Sequence, residues 1–289
     1  GSLTAPIGFE GTSECRERRS STADSYERVW LSWPRSGRTF TTPMSTAFSD
    51  RRKSTGQASN SAGRKSSSVE NDSADRTGEL LDTWATADAR VNVVHFSYVD
   101  LSSGDSTPDG GGPNWFRTDR IQRICFARNV YLERARSLQP DYVVVVDMDL
   151  DRISLEGLVS SFAMPVKWKA VASNGFRYTL RRPFNRQVYW DTYAYEPCGG
   201  FENGIQTVSQ VRQSQVTLTL RLRSNEWIPA LSAFGGVCIY RADMLEGVRY
   251  SVPLNDNRDI PCLCEHVGLH RAIRERYPSF RVHINPMQT

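Results

Sequence analysis

The stretch DYVVVVDMDLD, residues 141–151, constrains the fold more than any other part of the chain. Four consecutive valines are typical of a strand that is buried on both faces, because no polar side chain is left to face water. The strand leads directly into Asp147, Asp149 and Asp151. Carboxylates clustered at the end of a buried strand are costly unless a cation or a shared proton lies beside them. The stretch therefore predicts an α/β fold in which a buried strand of the sheet ends at a charged site.

The residues on either side of this strand alternate between helical and extended patterns. The helix–strand order and the apolar strand indicate a mostly parallel central sheet flanked by helices, extended by a more β-rich half. We expect helices at 77–88, 118–138 and 264–276, and strands at 90–100, 142–146, 169–176, 216–222, 235–241 and 280–286.

Residues 1–76 differ in composition from residues 77–289. The first part is rich in Ser, Arg and Thr, and it has too few apolar groups to offset the entropy of ordering. We therefore expect it to be largely disordered, with 34–76 either disordered or a long insertion. The segment YERVWLSW at 26–33 is a possible first strand. The mean hydropathy of −0.49 for the whole chain agrees with a large polar portion.

Charge and hydropathy limit the partners. The net charge of +4 is small for 289 residues and the basic residues are not striped along one face, so nucleic acid is not an expected partner. No apolar run approaches the ~20 residues of a membrane span. The chain begins Gly-Ser, so a signal or anchor could precede it; with one, the expected compartment is the Golgi or ER lumen, and otherwise the cytoplasm.

Asp147 and Asp149 are the first candidates for chemistry. Side chains alternate along a strand, so these two carboxylates point to the same side if the chain stays extended. Oxygen ligands favour Mg²⁺ or Mn²⁺, which usually also binds substrate phosphate oxygens. The alternative is a pair of solvated carboxylates at a strand end, with Asp151 capping the next element of the chain.

Two enzyme classes place D-x-D after a buried strand. Haloacid-dehalogenase-like phosphatases use the pair as nucleophile and acid/base, but their motif has Thr or Val two residues later, where this chain has Asp151. Nucleotide-sugar transferases of the GT-A fold use the pair to anchor a metal and a diphosphate, and they fit better.

Four blocks in order carry a resemblance to one family. RICFARNVYLERARSLQPDYVVVVDMDLD, VYWDTYAYEP, SAFGGVCIYR and CEHVGLHRAIRERYPSFRVHINPM together resemble GT-A glycosyltransferases, most closely a group found in large DNA viruses of algae and in protists. The resemblance covers 77–289, which would be the catalytic domain. It implies a Rossmann-like half that binds a nucleotide-diphosphate sugar and a half that binds a hydroxyl acceptor.

The resemblance also implies a metal site. Asp147 would face the ribose and diphosphate, and Asp149 would ligate the metal directly. His283, on a late strand, would be the third ligand and would favour Mn²⁺ over Mg²⁺, with His266 as the runner-up. A partly buried strand histidine is the structural alternative for His283.

In inverting members of the family, a Gly-Gly segment is followed by an acidic residue that deprotonates the acceptor. Here Gly235 and Gly236 would approach the donor sugar, and Glu265 would be the catalytic base. The family usually has a second acidic residue beside that base, where this chain has His266. A plain turn is the alternative for the glycines.

Three further positions are candidates. Asp191, with Trp190 and Tyr193 nearby, resembles a sugar-binding patch and is the second choice of base, the alternative being a packing cluster. Arg128 and Asn174 would contact the donor, although a solvated arginine is also compatible with the pattern. The sequence thus predicts a metal-dependent, inverting glycosyltransferase. The alternatives are the phosphatase and a catalytically degenerate, lectin-like sugar-binding protein.

Overall fold

A computed structural model describes residues 45–50, 65–71, 73, 75–97, 116–164, 167–181 and 184–289. All of these residues belong to one compact unit, Phe40–Thr289. The strand predicted at 26–33 lies outside the described residues.

The described residues form eleven strands and five α-helices. The strands are β1 (Ser45–Asp50), β2 (Lys65–Asn71), β3 (Val91–Phe96), β4 (Tyr142–Asp147), β5 (Ala170–Ser173), β6 (Phe176–Arg181), β7 (Phe184–Tyr189), β8 (Glu196–Pro197), β9 (Ile228–Ser232), β10 (Val237–Arg241) and β11 (Val282–Asn285). The helices are α1 (Thr77–Ala87), α2 (Thr118–Ser137), α3 (Leu155–Ala163), α4 (Val208–Arg223) and α5 (Glu265–Arg276).

The main sheet has nine strands in the order β3-β2-β1-β4-β10-β5-β11-β9-β8, and β6 and β7 form a separate hairpin. The protein is therefore a mixed α/β protein, as predicted. The expectation of a mostly parallel sheet is wrong at the level of pairing. Of eight neighbouring pairs, only β2 with β3 and β5 with β11 are parallel. The valine run indicates that the strand is buried on both faces, but burial does not determine whether neighbouring strands are parallel or antiparallel.

Helices cover both faces of the centre of the sheet. Val143 and Val145 of β4 pack in the main core, which includes buried residues of α2 and α5. Val144, from the opposite face, packs in a second cluster with Trp168 and with Leu158 of α3. The alternation along β4 thus places Val143 and Val145 in one apolar layer and Val144 in the other.

The three predicted helices and the valine strand are confirmed, but residues 216–222 are not a strand. They form the second half of α4. A capping box begins this helix: the Thr207 side chain accepts from the Gln210 N–H, and the Gln210 side chain accepts from the Thr207 N–H. Leu218 and Leu222 are buried at helical i, i+4 spacing. The alternating Val-Thr-Leu-Thr-Leu pattern hid this spacing.

Two strands lie within the segment that composition predicts to be largely disordered. β1 pairs antiparallel with β4, and β2 pairs with both β1 and β3. Ser66, Ser67 and Ser68 of β2 are buried although they are polar. A strand is held by backbone hydrogen bonds along its ladder, so small hydroxyl side chains can occupy a sheet that composition alone would exclude.

No helix in the described ranges combines the length and apolar character needed to cross a membrane.

Candidate functional site

The candidate site lies at the carboxyl end of β4. β4 and β5 run in the same direction on either side of the antiparallel β10. The ends of β4 and β5 and the start of β10 therefore meet at one edge of the sheet. Asp147 is the last residue of β4, and its N–H donates to the carbonyl of Gly236 at 2.9 Å. Asp147 and Gly236, two of the predicted site residues, are thus in direct contact.

Gly235 and Gly236, called the glycine turn, lie close to the segments around Ser173 and Leu150. Both have positive φ, +68° and +89°. A Cβ on Gly235 would lie 2.2 Å from the Ser173 carbonyl, and a Cβ on Gly236 would lie 2.7 Å from a Leu150 methyl carbon. Only glycine allows both this conformation and this close approach.

Arg128 of α2 bridges two of the predicted acidic residues. Its guanidinium donates to Asp147 Oδ1 through Nη2 and to Glu265 Oε1 through Nε, both at 2.9 Å. Its Nη1 also donates to the Tyr131 hydroxyl at 3.2 Å. The side chain is only 3% exposed. Arg128 is therefore not a solvated surface residue, and these hydrogen bonds are made to the protein's own side chains.

Aromatic rings surround this guanidinium. Its Cζ lies 5.0 Å from the centre of the Phe234 ring and 5.8 Å from that of Tyr250. The faces of aromatic rings attract cations, and more strongly when water is excluded. Phe234 and Tyr250 were not among the site residues predicted from the sequence. The one local signal was an arginine interrupting the apolar face of α2, with Tyr131 one turn later.

Glu265 is the first residue of α5 and is buried. The free N–H groups and the dipole at a helix start favour a carboxylate there. The Cys264 thiol donates to Glu265 Oε2 at 3.3 Å. Both carboxylate oxygens thus have partners, which fixes the orientation of the predicted base.

Asp191 joins the same site from the segment after β7. Its Oδ2 accepts a hydrogen bond from the Gly235 N–H at 2.8 Å. Burial raises the pKa of Asp191 to about 6, although this hydrogen bond opposes the shift. Of its predicted aromatic neighbours, Tyr193 has a packing role: its hydroxyl donates to the Cys262 carbonyl at 2.8 Å, and its ring meets Phe116 edge-on.

Asn174 lies immediately after β5 at this edge. Its side-chain amide donates to the Pro286 carbonyl at 3.1 Å, and its N–H donates to the Gln288 carbonyl at 2.7 Å. These bonds tie the end of β5 to the segment after β11. The contacts of Asn174 are therefore structural, and its predicted contact with a donor stays a prediction.

The structure does not bring His283 to this site. His283 pairs in the sheet with Val171, whose side chain packs in the second cluster on the face opposite to Val143 and Val145. Within the described ranges no three His, Cys, Asp or Glu side chains are grouped so that they could hold a metal ion. Burial lowers the pKa of His283. The partly buried strand histidine, named above as the alternative, describes it better.

His266, the runner-up ligand, is fully enclosed by aromatic groups. Its ring stacks on Phe234 with 3.7 Å between ring centres and meets Tyr250 edge-on. Neither ring nitrogen has a hydrogen-bond partner among the described residues. Burial holds the pKa of His266 well below its usual value, so the ring is neutral. Its Nε2 lies 3.7 Å from Glu265 Oε1, beyond hydrogen-bonding distance.

Asp147 and Asp149, called the aspartate pair, suit a bound cation. Burial raises the pKa of Asp147 to about 7 and also raises the pKa of Asp149. Such shifts mean that negative charge there is not fully compensated, even with Arg128 beside Asp147. Asp149 lies in the turn that follows β4 and is exposed, as is Asp151. Two carboxylates without a histidine fit Mg²⁺ or Mn²⁺, which often takes one or two carboxylates and completes its shell with substrate phosphates and water.

A cleft of about 760 Å³ lies at the opposite end of β4, where Asp141, Tyr142 and Arg241 contribute to its lining. None of the predicted site residues lines it. We place the candidate site by its chemistry, since ligands of open α/β sheets bind outside the carboxyl ends of strands.

No family model matches the chain, and no curated protein matches it. The resemblance to GT-A glycosyltransferases therefore stays a prediction from the sequence blocks.

Proposed function

We propose that this protein is a metal-dependent glycosyltransferase. It moves a sugar from a nucleotide-diphosphate sugar to a hydroxyl of a glycan or glycoconjugate acceptor, with inversion at the anomeric carbon. The observation that carries the proposal is the convergence of Asp147, the glycine turn, Asp191 and Glu265 at one edge of the sheet, linked by direct hydrogen bonds and by Arg128. These residues come from separate segments that the sequence blocks had singled out independently.

Asp147 and Asp149 would hold Mn²⁺ or Mg²⁺ together with the donor diphosphate. When bound, the cation offsets the charge that develops on the departing nucleoside diphosphate. The raised pKa of both carboxylates supports this assignment, because a nearby cation would remove the cost of keeping them ionised.

Glu265 would accept the proton of the acceptor hydroxyl. As the hydroxyl oxygen bonds to the anomeric carbon, the bond from that carbon to the diphosphate oxygen breaks and the proton passes to the carboxylate. Arg128 and Cys264 fix the orientation of Glu265, and the start of helix α5 stabilises its negative charge. Asp191 is the second candidate, since a pKa of about 6 suits a base at neutral pH.

The two alternatives make different predictions. A phosphatase would release phosphate from small phosphoesters and would not bind a nucleotide sugar. A degenerate sugar-binding protein would bind saccharides and would transfer nothing. Both can be assayed on the same preparation.

The first test is a thermal-shift screen of UDP- and GDP-linked sugars with and without Mn²⁺. A donor at about 100 times its Kd stabilises the folded state by about 2.7 kcal/mol, which raises the Tm by several degrees. We expect this stabilisation to require Mn²⁺ and to disappear in Asp149→Ala. The matched control is Asp151→Ala, two residues away and exposed, which should keep it. If no nucleotide sugar stabilises the wild-type protein in a metal-dependent way, the transferase proposal is wrong.

A further inference from the structure

His266 is a buried polar side chain that the mechanism above does not use. It follows Glu265 in the first turn of α5 and is 1% exposed. Both of its ring nitrogens are buried without a hydrogen-bond partner among the described residues. Buried polar groups are nearly always hydrogen-bonded, because an unpaired one has lost its interaction with water and gained nothing in return. An unpaired imidazole beside the candidate base is therefore a candidate for a role in the reaction.

Aromatic rings hold this imidazole in place. Its ring stacks on Phe234, with ring centres 3.7 Å apart and planes 18° apart, and it meets the Tyr250 ring edge-on at 5.5 Å. Phe234 directly precedes the glycine turn. A ring that is packed both on its face and at its edge keeps one orientation, so the direction of its nitrogens is fixed by the core around it.

One oxygen of Glu265 faces two nitrogens, and only one of them bonds to it. Oε1 accepts a hydrogen bond from Arg128 Nε at 2.9 Å, whereas His266 Nε2 lies 3.7 Å from the same oxygen. A neutral imidazole has a proton on one nitrogen and a lone pair on the other. A proton on Nε2 would draw the ring into a hydrogen bond with the carboxylate, whereas a lone pair and a carboxylate oxygen repel. The separation therefore fits the tautomer with its lone pair on Nε2.

This repulsion becomes an attraction when Glu265 takes up a proton. An ionised carboxylate can only accept hydrogen bonds, but a protonated carboxyl has one O–H group that donates. An approach of about 0.8 Å between Oε1 and Nε2 is enough for a hydrogen bond. A hydrogen bond that only the protonated form can make favours that form, so the uptake of the proton becomes easier.

We propose that His266 is a positioning residue that receives the hydrogen bond of protonated Glu265 during transfer. As the O–H bond of the acceptor breaks, the proton passes to Glu265 Oε1, and the new O–H group donates to His266 Nε2. The ring stays neutral, because a second buried cation close to Arg128 would be unfavourable. The proton leaves to water after the product is released, and Glu265 is ionised again. This inference rests on the proposed function, with Glu265 as the base.

The tautomer of His266 can be measured in the wild-type protein without any substrate. Nitrogen-15 NMR distinguishes a ring nitrogen that carries a proton from one that carries a lone pair. The chain has only four histidines, and the His266 ring is assigned by its contacts with the Phe234 ring. We expect a neutral ring with its proton on Nδ1 at neutral pH. A proton on Nε2 would overturn the proposal.

His266→Phe tests the role in transfer. Phenylalanine keeps a ring to stack on Phe234 but has no atom that accepts a hydrogen bond. We expect kcat, measured by release of nucleoside diphosphate, to fall about tenfold, as for the loss of one hydrogen bond in the transition state. The donor Kd measured by calorimetry with Mn²⁺ and the acceptor KM should not change.

Two further variants distinguish this role from a packing role. In His266→Gln the terminal amide oxygen can accept from protonated Glu265, so most of kcat should be retained. His270→Gln is the matched control. His270 is also buried in α5, but its nitrogens lie 2.8 Å from the hydroxyls of Ser232 and Tyr240. Its replacement should leave kcat unchanged.

The possible results separate this inference from the proposed function. An unchanged kcat in His266→Phe, or an equal loss in His266→Phe and His266→Gln, overturns the role of His266 and leaves the transferase proposal standing. Absence of metal-dependent donor binding in the wild type refutes the transferase proposal, and the role of His266 in transfer with it.

Discussion

Arg128 shows how a single residue can change the interpretation of a motif. From the sequence it was either a donor contact or a solvated arginine. In the structure it is buried, bonded to Asp147 and Glu265, and lies beside the rings of Phe234 and Tyr250. Burying a guanidinium is costly, and hydrogen bonds with good geometry to both carboxylates offset that cost. Arg128 therefore holds the two acidic groups in a fixed relation.

Replacing Arg128 with methionine should destabilise the protein strongly. The variant leaves Asp147 and Glu265 buried without their cation, and loss of one partner from a buried ion pair typically costs about 3–5 kcal/mol. Urea unfolding followed by circular dichroism measures the change in the free energy of unfolding.

Arg76→Met is the control for this prediction. Arg76 pairs with Glu79 at 2.9 Å, but its side chain is 82% exposed, and exposed pairs contribute about 0–1 kcal/mol. Equal effects of the two replacements would contradict the role assigned to Arg128.

Among the helices, α5 begins at the candidate site and carries a buried polar residue one turn further along. Glu265 begins the helix, and His270, in its second turn, is fully buried. His270 Nδ1 lies 2.8 Å from the Ser232 hydroxyl, and Nε2 lies 2.8 Å from the Tyr240 hydroxyl. Burial lowers the pKa of His270 to about 3, so the ring is neutral in the folded protein.

This neutral histidine predicts a loss of stability in acid. Below the unfolded pKa of about 6.5 the unfolded chain binds a proton at this position that the folded chain does not bind until near pH 3. The free energy of unfolding should therefore fall by about 1.4 kcal/mol per pH unit from this group alone as the pH drops through that window. His270→Gln, which cannot be protonated, should reduce the slope by that amount in urea titrations between pH 4 and pH 6.5.

His95→Gln provides a comparison of opposite sign. Hydrogen bonds to Asp82 and then Glu70 raise the pKa of His95, so its protonation favours the folded state. Its replacement should not reduce the loss of stability in acid. A slope that is unchanged by His270→Gln would show that His270 is not buried as a neutral ring.

Several elements were predictable because their signals are local. The valine strand, α2 and α5 can be recognised from runs and spacings that need no knowledge of the rest of the chain. α4 was missed because its Thr and Leu residues alternate like a strand, and the deciding capping box lies before that stretch. β1 and β2 were missed because their Ser-rich sequences are stabilised by pairing with other strands.

Across the molecule, several of the residues that the sequence proposed for the site lie together, through connections that the sequence does not show. Asp147, Gly236, Asp191 and Glu265 meet because β10 runs antiparallel beside β4, and strand direction leaves no local signal. His283, in contrast, was predicted to lie at the site but does not. Its face is set by the register of β11 against β5, and a shift of one residue would move it to the other side of the sheet.

The proposed function places transfer at the carboxyl end of β4, with Glu265 as the base. Glu265→Gln tests it most directly, because glutamine keeps an oxygen that can accept from Arg128 but cannot take up a proton. Donor affinity measured with Mn²⁺ should be retained, while transfer to a sugar acceptor should fall by about 10²–10⁴-fold. Retained turnover in Glu265→Gln would contradict the assignment and would make Asp191 the base.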